Sequence, residues 1–495
     1  MMNWLTRVPT AIKAAYRAMA GGIEAGKSSR LHDYWRPANR SPDAWFSDGG
    51  KMTRARARDL VQNNSYAKGI VRAKVRNVVG KGYGPQARTE NDTFNTASEK
   101  LFKKWKRHAD VTGRLSFYEM QRLVLAEVET AGEILVHRVE VEDSLSPVPF
   151  KLELIDTDRL ADEYFFRDRL QTEDGNEVRL GIEYDANGRP VAYHITEEHP
   201  NGLSLFRSIP KRIPAKDILH LYITERAGQG RGLSQFAPNV WWLKNLDRYV
   251  ENEVVASAIA SAISVVIKTM DGGAGGNTSL GDSLNGDTVS DQGNRFNFFE
   301  PGGVSQLLSS EEIEPFNNAR GHSESAVFLN TMLRSMAVGA GLSFERLSRD
   351  YSQTNFSSNR ASDLEDRKEF RILQQWLDFH FNEPVYQWLV EAGVRVGFED
   401  FPTPSGYLAD RDYWSEHEWQ NPGWEWVDPR NEAQAADKGL RNGTINLVDY
   451  LAAQGINWEE HLDKIQKVQE SLEQRGITLG MTEQIDLEDD IDADS

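Results

Sequence analysis

The polar stretch Gly341-Leu-Ser-Phe-Glu-Arg-Leu-Ser-Arg-Asp-Tyr-Ser-Gln-Thr-Asn-Phe-Ser-Ser-Asn-Arg-Ala361 runs directly into the longest helical pattern in the chain. From Ser357 to Ala392 the apolar residues Phe370, Leu373, Leu377, Phe381 and Val385 recur every three or four positions, one face of an amphipathic helix. Pro384 removes a backbone donor inside it and predicts a kink. A second helix, Asn317 to Ala340, precedes the loop Gly341–Asn355. The chain must therefore carry an irregular polar segment between two long helices, and no catalytic signature accompanies it.

Around this unit the periodicity changes twice. Thr53–Ala67 and Ala67–Val79 read as a helix pair stopping at the Gly80–Gly84 cluster, and Phe94–His108 and Ser116–Gly132 as two more helices. Glu133–Val141, Phe150–Asp156, Val178–Tyr184, Pro190–Thr196 and Ile218–Ile223 are short, rich in Val, Ile, Leu and Tyr, and read as strands. Asp185-Ala-Asn-Gly188 supplies a hairpin turn, because Asn and Gly tolerate positive φ. Phe236–Ile263 returns to helix with the small-residue run Ala256-Ser-Ala-Ile-Ala-Ser-Ala262, which lets helices approach closely. Strand candidates Val265–Thr269 and Phe296–Glu300 flank a Gly- and Asp-rich stretch, 271–294, read as a long flexible loop. After an irregular stretch carrying Trp414, Trp419, Trp424 and Trp426, the helices Asn431–Arg441, Leu447–Gln454 and Trp458–Arg475 each close at a glycine signal. The fold class expected is α+β, in several parts.

Composition removes whole classes of chemistry. The 495 residues include no cysteine, which excludes disulfides, zinc–thiolate sites, iron–sulfur clusters and thiol nucleophiles and suits assembly in a reducing cytoplasm. The longest apolar or small run, Val254–Ile267, is too short to cross a bilayer, so no membrane partner is expected. A net charge of −18 argues against tight binding of duplex DNA but is compatible with a wall past which DNA slides. Charge is uneven: Lys51–Arg107 holds fifteen Lys or Arg against four acids, and Glu483–Ser495 holds seven acids and no base. The first reads as a solvated helical face or a contact surface for acidic neighbours, and the second as a disordered acidic tail. Residues 1–39 read as a basic arm.

One segment matches a nucleotide-binding motif letter for letter. Gly21-Gly-Ile-Glu-Ala-Gly-Lys-Ser28 fits the phosphate-loop pattern, but a helix-like segment precedes it where a buried strand is required, and no helix follows. The histidines lack the spacing of metal ligands, no Gly-x-Ser-x-Gly elbow exists, and Gly272-Gly-Ala-Gly-Gly-Asn is a single unrepeated glycine string. Glu365 and Asp366, beside Arg367 and Lys368, read as a solvated or intersubunit face. The expectation is no catalytic residue, no metal and no cofactor.

Four segments, in order, resemble the lambda family of phage portal proteins. They are Arg58-Asp-Leu-Val-Gln-Asn-Asn-Ser-Tyr-Ala67 with Asn77-Val-Val-Gly-Lys-Gly82; Gly181-Ile-Glu-Tyr-Asp-Ala-Asn-Gly-Arg-Pro-Val-Ala-Tyr-His-Ile195 with Ile218-Leu-His-Leu221 and Gly228-Gln-Gly-Arg-Gly-Leu233; the opening stretch; and Trp426-Val-Asp-Pro-Arg-Asn-Glu-Ala-Gln-Ala435 with Gly443-Thr444. The resemblance implies a portal fold: a mixed α/β wing (40–235 and 357–426), stem helices (236–263 and 317–340), a small α/β clip (264–316), a channel loop (341–356), a helical crown (427–480) and a tail (481–495). It implies a non-enzymatic dodecameric ring at one capsid vertex, conducting double-stranded DNA in packaging and ejection. The partners it implies are terminase, a head–tail adaptor, and major capsid and scaffold proteins. Arg346, Ser348, Arg349, Tyr351 and Gln353 would then lie on the channel loop, with Asn330 and Arg334 as stem candidates for the lumen. Two other readings stay open: a packaging nucleoside triphosphatase using Gly26, Lys27 and Ser28, and another virion protein such as an adaptor or baseplate component.

Overall fold

The computed structural model describes residues 38–161, 175–202, 209–262, 265–269, 288–289, 295–296, 311–315, 322–424 and 429–476. Most of the basic arm, the Gly26-Lys27-Ser28 string, most of the segment read as clip, Trp426 and the acidic tail lie outside the described residues.

Two helices open the fold, α1 (Pro42–Asn63) and α2 (Ser65–Val78), separated only by Asn64. Ser41 caps α1 ahead of Pro42, and Asn64 in extended conformation ends α1 while its side chain accepts from Ala67 to start α2. After β1 (Pro85–Ala87) come α3 (Asp92–Trp105) and α4 (Phe117–Ala131), the latter opened by a Ser116–Glu119 capping box. Gly132, at φ 94°, reverses α4 into β2 (Glu133–Val139). A Cβ at Gly132 would sit 2.3 Å from the Leu233 carbonyl carbon, and one at Gly232 would sit 2.2 Å from the Gly132 oxygen, so neither position admits a side chain.

β2 pairs antiparallel with β3 (Lys151–Ile155) on one edge and, further along the chain, with β8 (Ile218–Tyr222) on the other. Between these run β4 (Glu177–Arg179), β5 (Ile182–Tyr184), β6 (Pro190–Ile195) and β7 (Lys211–Pro214), a four-stranded antiparallel meander. The single strand expected over Val178–Tyr184 is instead a hairpin, folded at Leu180 and Gly181 with φ of 50° and 82°. The Asp185–Gly188 turn forms as read, with the Asp185 N–H donating to Arg189 and Gly188 at φ 78°.

α5 (Val240–Ala262) leads to β9 (Val265–Thr269) and to the two-residue pair β10 (Thr288–Val289) and β11 (Arg295–Phe296), which lies where only loop and a longer strand were expected. β12 (Glu311–Pro315) returns antiparallel to β9, and α6 (His322–Ala340) follows. The expected loop contains a helical turn, α7 (Phe344–Ser348), before α8 (Phe356–Leu377). The expected kink takes the form of a π turn, Asp378–Asn382, in which the Glu383 N–H donates to the Asp378 carbonyl, and α9 (Glu383–Val396) resumes with Pro384 in its first turn. Because Pro384 has no N–H to give to the turn before it, widening the helix by one residue accommodates the missing bond. Two short helices, α10 (Pro404–Ala409) and α11 (Arg411–Trp414), precede β13 (His417–Trp419), which pairs with β1. The chain's described part ends in α12 (Pro429–Arg441), α13 (Leu447–Ala453) and α14 (Trp458–Gln474).

One apolar core joins parts far apart in sequence. Ile70, Phe117, Val124 and Val136 share it with Leu243, Met336, Leu342, Phe370 and Phe381. A second cluster, including Ile155, Ile182, Tyr193 and Ile218, fills the space between the two sheets.

Charge is also buried at the centre. Glu133 (1 % exposed) accepts from Arg231 (Nη2 at 2.6 Å), from Arg54, from His220 Nε2 at 2.9 Å and from the Gly232 N–H at 2.8 Å. Burial alone would push this carboxyl up, but Arg231 and Arg54 outweigh it and hold Glu133 well below the usual range. Burial pushes His220 down against the pull of Glu133. Breaking such a pair strands a charge in a dry interior, so Glu133→Gln should cost about 3–5 kcal/mol of stability at neutral pH. Because the folded carboxyl titrates below the unfolded one, its contribution is present above the unfolded pKa and lost as pH falls through the folded value. Denaturant unfolding of both proteins at pH 7 and in acid should show the gap narrowing in acid.

The π turn carries a carboxylate of the opposite kind. Asp378 accepts from Tyr83 Oη (2.9 Å), Asn382 (2.8 Å) and Asn421 (2.8 Å), all neutral donors. Burial pushes its carboxyl up, the three donors offset this only in part, and Glu383 adds to the rise. A raised folded pKa means that stability falls as pH rises from the unfolded to the folded value. Asn421 Oδ1 is buried without a partner, so an amide turned over there would receive a new N–H. Asp378→Asn should therefore match or exceed wild-type stability at pH 7, an advantage that shrinks as unfolding is measured toward pH ~4, the ordinary carboxylate range.

Candidate functional site

The two long helices approach closely where the start of α5 meets the end of α6. Asn239 donates to the Met336 carbonyl at 3.0 Å, and a Cβ on Gly339 would lie 2.6 Å from Asn239 Oδ1. Further along, Tyr249 and Phe328 rings meet at 4.9 Å, and a groove of about 360 Å³ opens between Trp241, Trp242, Arg248, Phe328 and Met332. Met332, Leu333, Met336, Ala337 and Ala340 turn inward. The other face of α6 carries Val327, Thr331, Arg334 and Val338, with Asn330 at its margin, and all five are exposed. Thus both stem candidates from the sequence, Asn330 and Arg334, stand on the outward face.

α6 ends at Gly341, φ 65°, and the next turn is held by α8. Asp366, 4 % exposed, accepts from the Ser343 N–H (2.8 Å), the Ser343 hydroxyl (2.8 Å) and Arg346 Nε (2.6 Å). Asp363 takes the other end of the Arg346 guanidinium, and also Arg367 at 2.7 Å. The guanidinium lies 5.3 Å from the centre of the Phe370 ring, while Arg334 lies 5.1 Å from that of Phe344. The loop is therefore fastened to α8 by Arg346 and touched from α6 by Arg334.

The other sequence candidates divide by exposure. Ser348 spends its hydroxyl within the turn, donating to the Phe344 carbonyl at 2.8 Å and accepting from the Asp350 N–H at 3.1 Å. Arg349, Tyr351 and Gln353 are exposed. Arg349 occupies the left-handed region at φ 57°, where its N–H closes α7 onto the Glu345 carbonyl at 2.8 Å. Hydrogen bonds from Ser352 hold the Asp350 carboxyl below its usual range and shape the tip.

Asp363 and Asp366 are the site residues the sequence reading missed. Glu365 is exposed and pairs with Lys368 as expected of a solvated face, but Asp366 turns inward. The signal was its spacing: Asp363, Asp366 and Phe370 stand three and four apart, on the face that Phe370 buries.

Among the described residues Asp156, Asp158 and His199 approach with the spacing of metal ligands. Arg54 and Arg58 hold both oxygens of Asp158 (2.5 and 2.6 Å), and Arg58 holds Asp156 (2.8 Å). Two guanidiniums already supply the positive charge, so these ligand atoms do not fit a cation.

Removing Asp366 should uncouple the loop without touching its exposed tip. Asp366→Ala is expected to cost about 2–4 kcal/mol, since it leaves Ser343 and Arg346 without their acceptor. Amide hydrogen exchange across 343–355 should accelerate far more than exchange in α9.

Comparison with known proteins gives the following. Residues 28–374 match the family described as "Phage portal protein, lambda family". The chain is 26 % identical to the "Probable portal protein" of Halomonas phage phiHAP-1, covering 90 % of this chain and 85 % of that one. It is 24 % identical to "Portal protein B" of Escherichia phage lambda over 90 % of this chain and 88 % of the other. Among solved structures, a chain from the "Neck of native GTA particle computed with C12 symmetry" aligns at 13 % identity with a TM-score of 0.42, over 81 % of this chain and 93 % of that one.

Proposed function

The chain belongs to the lambda family of phage portal proteins, a structural family, and on that premise we propose that its copies form a dodecameric ring at one capsid vertex. Double-stranded DNA passes through this ring during packaging and ejection, and the ring docks terminase before, and a head–tail adaptor after, the capsid fills. Capsid and scaffold proteins surround it. Residues 40–235 and 357–426 form the wing, 236–263 and 317–340 the stem, 264–316 the clip and 427–480 the crown.

The observation that carries this reading is the amount of large apolar side chain left outside on α5 and α6. Trp241 is 65 % exposed, Val254 63 %, Val327 67 % and Val338 82 %. Four such residues on two packed helices are an interaction surface, because an isolated chain gains nothing by hydrating them. Further copies of the same chain cover them when the helices stand side by side in a ring. The channel loop then presents Arg349, Tyr351 and Gln353 toward the lumen, while Arg346 fixes it to α8. The acidic chain keeps phosphates from adhering as they pass.

Negative-stain images of the purified protein should show closed rings. Monomers alone, with and without scaffold and capsid proteins, would sink the reading. The loop has its own test: Arg349→Glu combined with Gln353→Glu should leave ring assembly and melting unchanged while packaged DNA falls several-fold. Wild-type packaging in that variant removes the loop from the mechanism.

A further inference from the structure

The last three helices, α12–α14, stand apart from the apolar interior of the chain. Among the described residues, none of 429–476 joins an apolar core cluster, and Ala436 and Leu451, which are buried there, lie outside those clusters. Backbones do approach at a pivot. A Cβ on Gly423 would lie 2.6 Å from the Ala453 carbonyl oxygen, and one on Gly455 would lie 2.9 Å from that of Asn421.

Charge supplies attachments of a different kind. Glu459 meets Arg88 at 3.4 Å and Gln86 Nε2 at 3.5 Å, Glu460 meets Lys103 at 2.6 Å, and Glu432 meets Arg360 at 3.7 Å. In each of these ion pairs the carboxylate belongs to α12–α14 and the base to the rest of the chain. The partners also have counter-ions on their own side: Arg88 reaches Glu418 at 3.0 Å, Lys103 reaches Glu99 at 3.8 Å, and Glu460 has Lys464 at 3.6 Å. Parting α14 from α3 therefore leaves neither base without a carboxylate. Beside these pairs lies a polar cleft of about 1170 Å³, lined by Asp92, Lys100, Lys104, Arg107 and Asp463, through which water and dissolved ions reach them.

We propose that α12–α14 are an arm clasped to α3, α8 and the residues around β1 by ion pairs of a single polarity, and that the arm swings about the contact of Gly423 with Gln454 when those pairs are screened. Exposed ion pairs are individually weak, and the Debye length falls from about 10 Å at 0.1 M salt to about 3 Å at 1 M. An attachment made by apolar burial would not loosen in the same salt. The arm opens as a unit while the apolar cores stay closed, because those cores contribute nothing to holding it. The inference concerns a single chain and holds whether or not copies assemble into a ring.

The chain has no cysteine, so a pair of spin labels can be placed without removing any native group. Leu145→Cys, 71 % exposed beside the cleft, and Gln469→Cys, exposed on α14, carry nitroxides in the full chain, co-expressed with an excess of cysteine-free chain so that the measured distance lies within one molecule. Double electron–electron resonance should give one narrow distance at about 0.1 M NaCl, and a longer population that grows several-fold at about 1 M. Glu432→Gln, Glu459→Gln and Glu460→Gln together should produce that longer population already at the lower salt, with the helical circular dichroism unchanged. Asp437→Asn, Glu470→Gln and Glu473→Gln remove as many charges from α12 and α14, where Asp437 pairs with Arg441 and Glu470 with Gln466, and should leave the narrow distance in place. A narrow distance at both salts in the labelled chain, a broad one at both, or equal opening by the two triple variants overturns the proposal.

Discussion

A carboxylate with almost no exposure to water sits where helix α1 meets strands β2 and β8, and much of the chain is arranged to satisfy it. Glu133 begins β2 directly after the Gly132 reversal, and its two oxygens take hydrogen bonds from α1 through Arg54, from β8 through His220 and from the segment before α5 through Arg231 and Gly232. Taking these charges out of water costs several kcal/mol per ion, so the arrangement holds only when every lone pair is used. That demand fixes relative positions that apolar packing alone would leave loose. It also explains Gly232: a backbone N–H must reach the carboxylate while its own Cα passes within contact of Gly132.

The same device recurs on a smaller scale where α6 passes into α8. Asp366 organises the start of α7 as Glu133 organises the junction of α1, β2 and β8, by collecting a backbone N–H, a hydroxyl and a guanidinium. Arg346 is thereby spent on the subunit's own architecture, and the polar character of the loop divides into an anchored half and an exposed half. The exposed tip at Arg349, Tyr351 and Gln353 thus stands on a base fixed by Arg346 to α8. Asp378 shows the contrast: surrounded by neutral donors, it tolerates a π turn at the point where Pro384 leaves the ladder one bond short.

Which features could be read beforehand follows from the range of the forces involved. The helices α2, α4, α8 and α12–α14 were legible because a period of three to four residues and a glycine stop are local properties, and the Asp185–Gly188 turn because its chemistry is contained in four residues. The β1–β13 pair was not, since three residues beside a glycine cluster carry no period and their partner lies at 417–419. The hairpin at Leu180–Gly181 was hidden by a leucine at positive φ, which no turn rule favours. At the candidate site, the exposure of Arg349, Tyr351 and Gln353 followed from polarity, whereas the pairing of Arg346 did not. Its partners Asp363 and Asp366 are one turn apart on α8, and that α8 folds back over the loop is a tertiary fact.

Inside the subunit, buried charges find partners from its own chain, as at Glu133, Asp366 and Asp158. Apolar faces are what it leaves outside, on α5 and α6. This division has a physical cause. An unpaired ion cannot wait in a dry interior for a partner subunit, whereas an apolar face costs only its hydration until a copy arrives. A chain built this way folds first and assembles afterwards, with its electrostatic order already fixed.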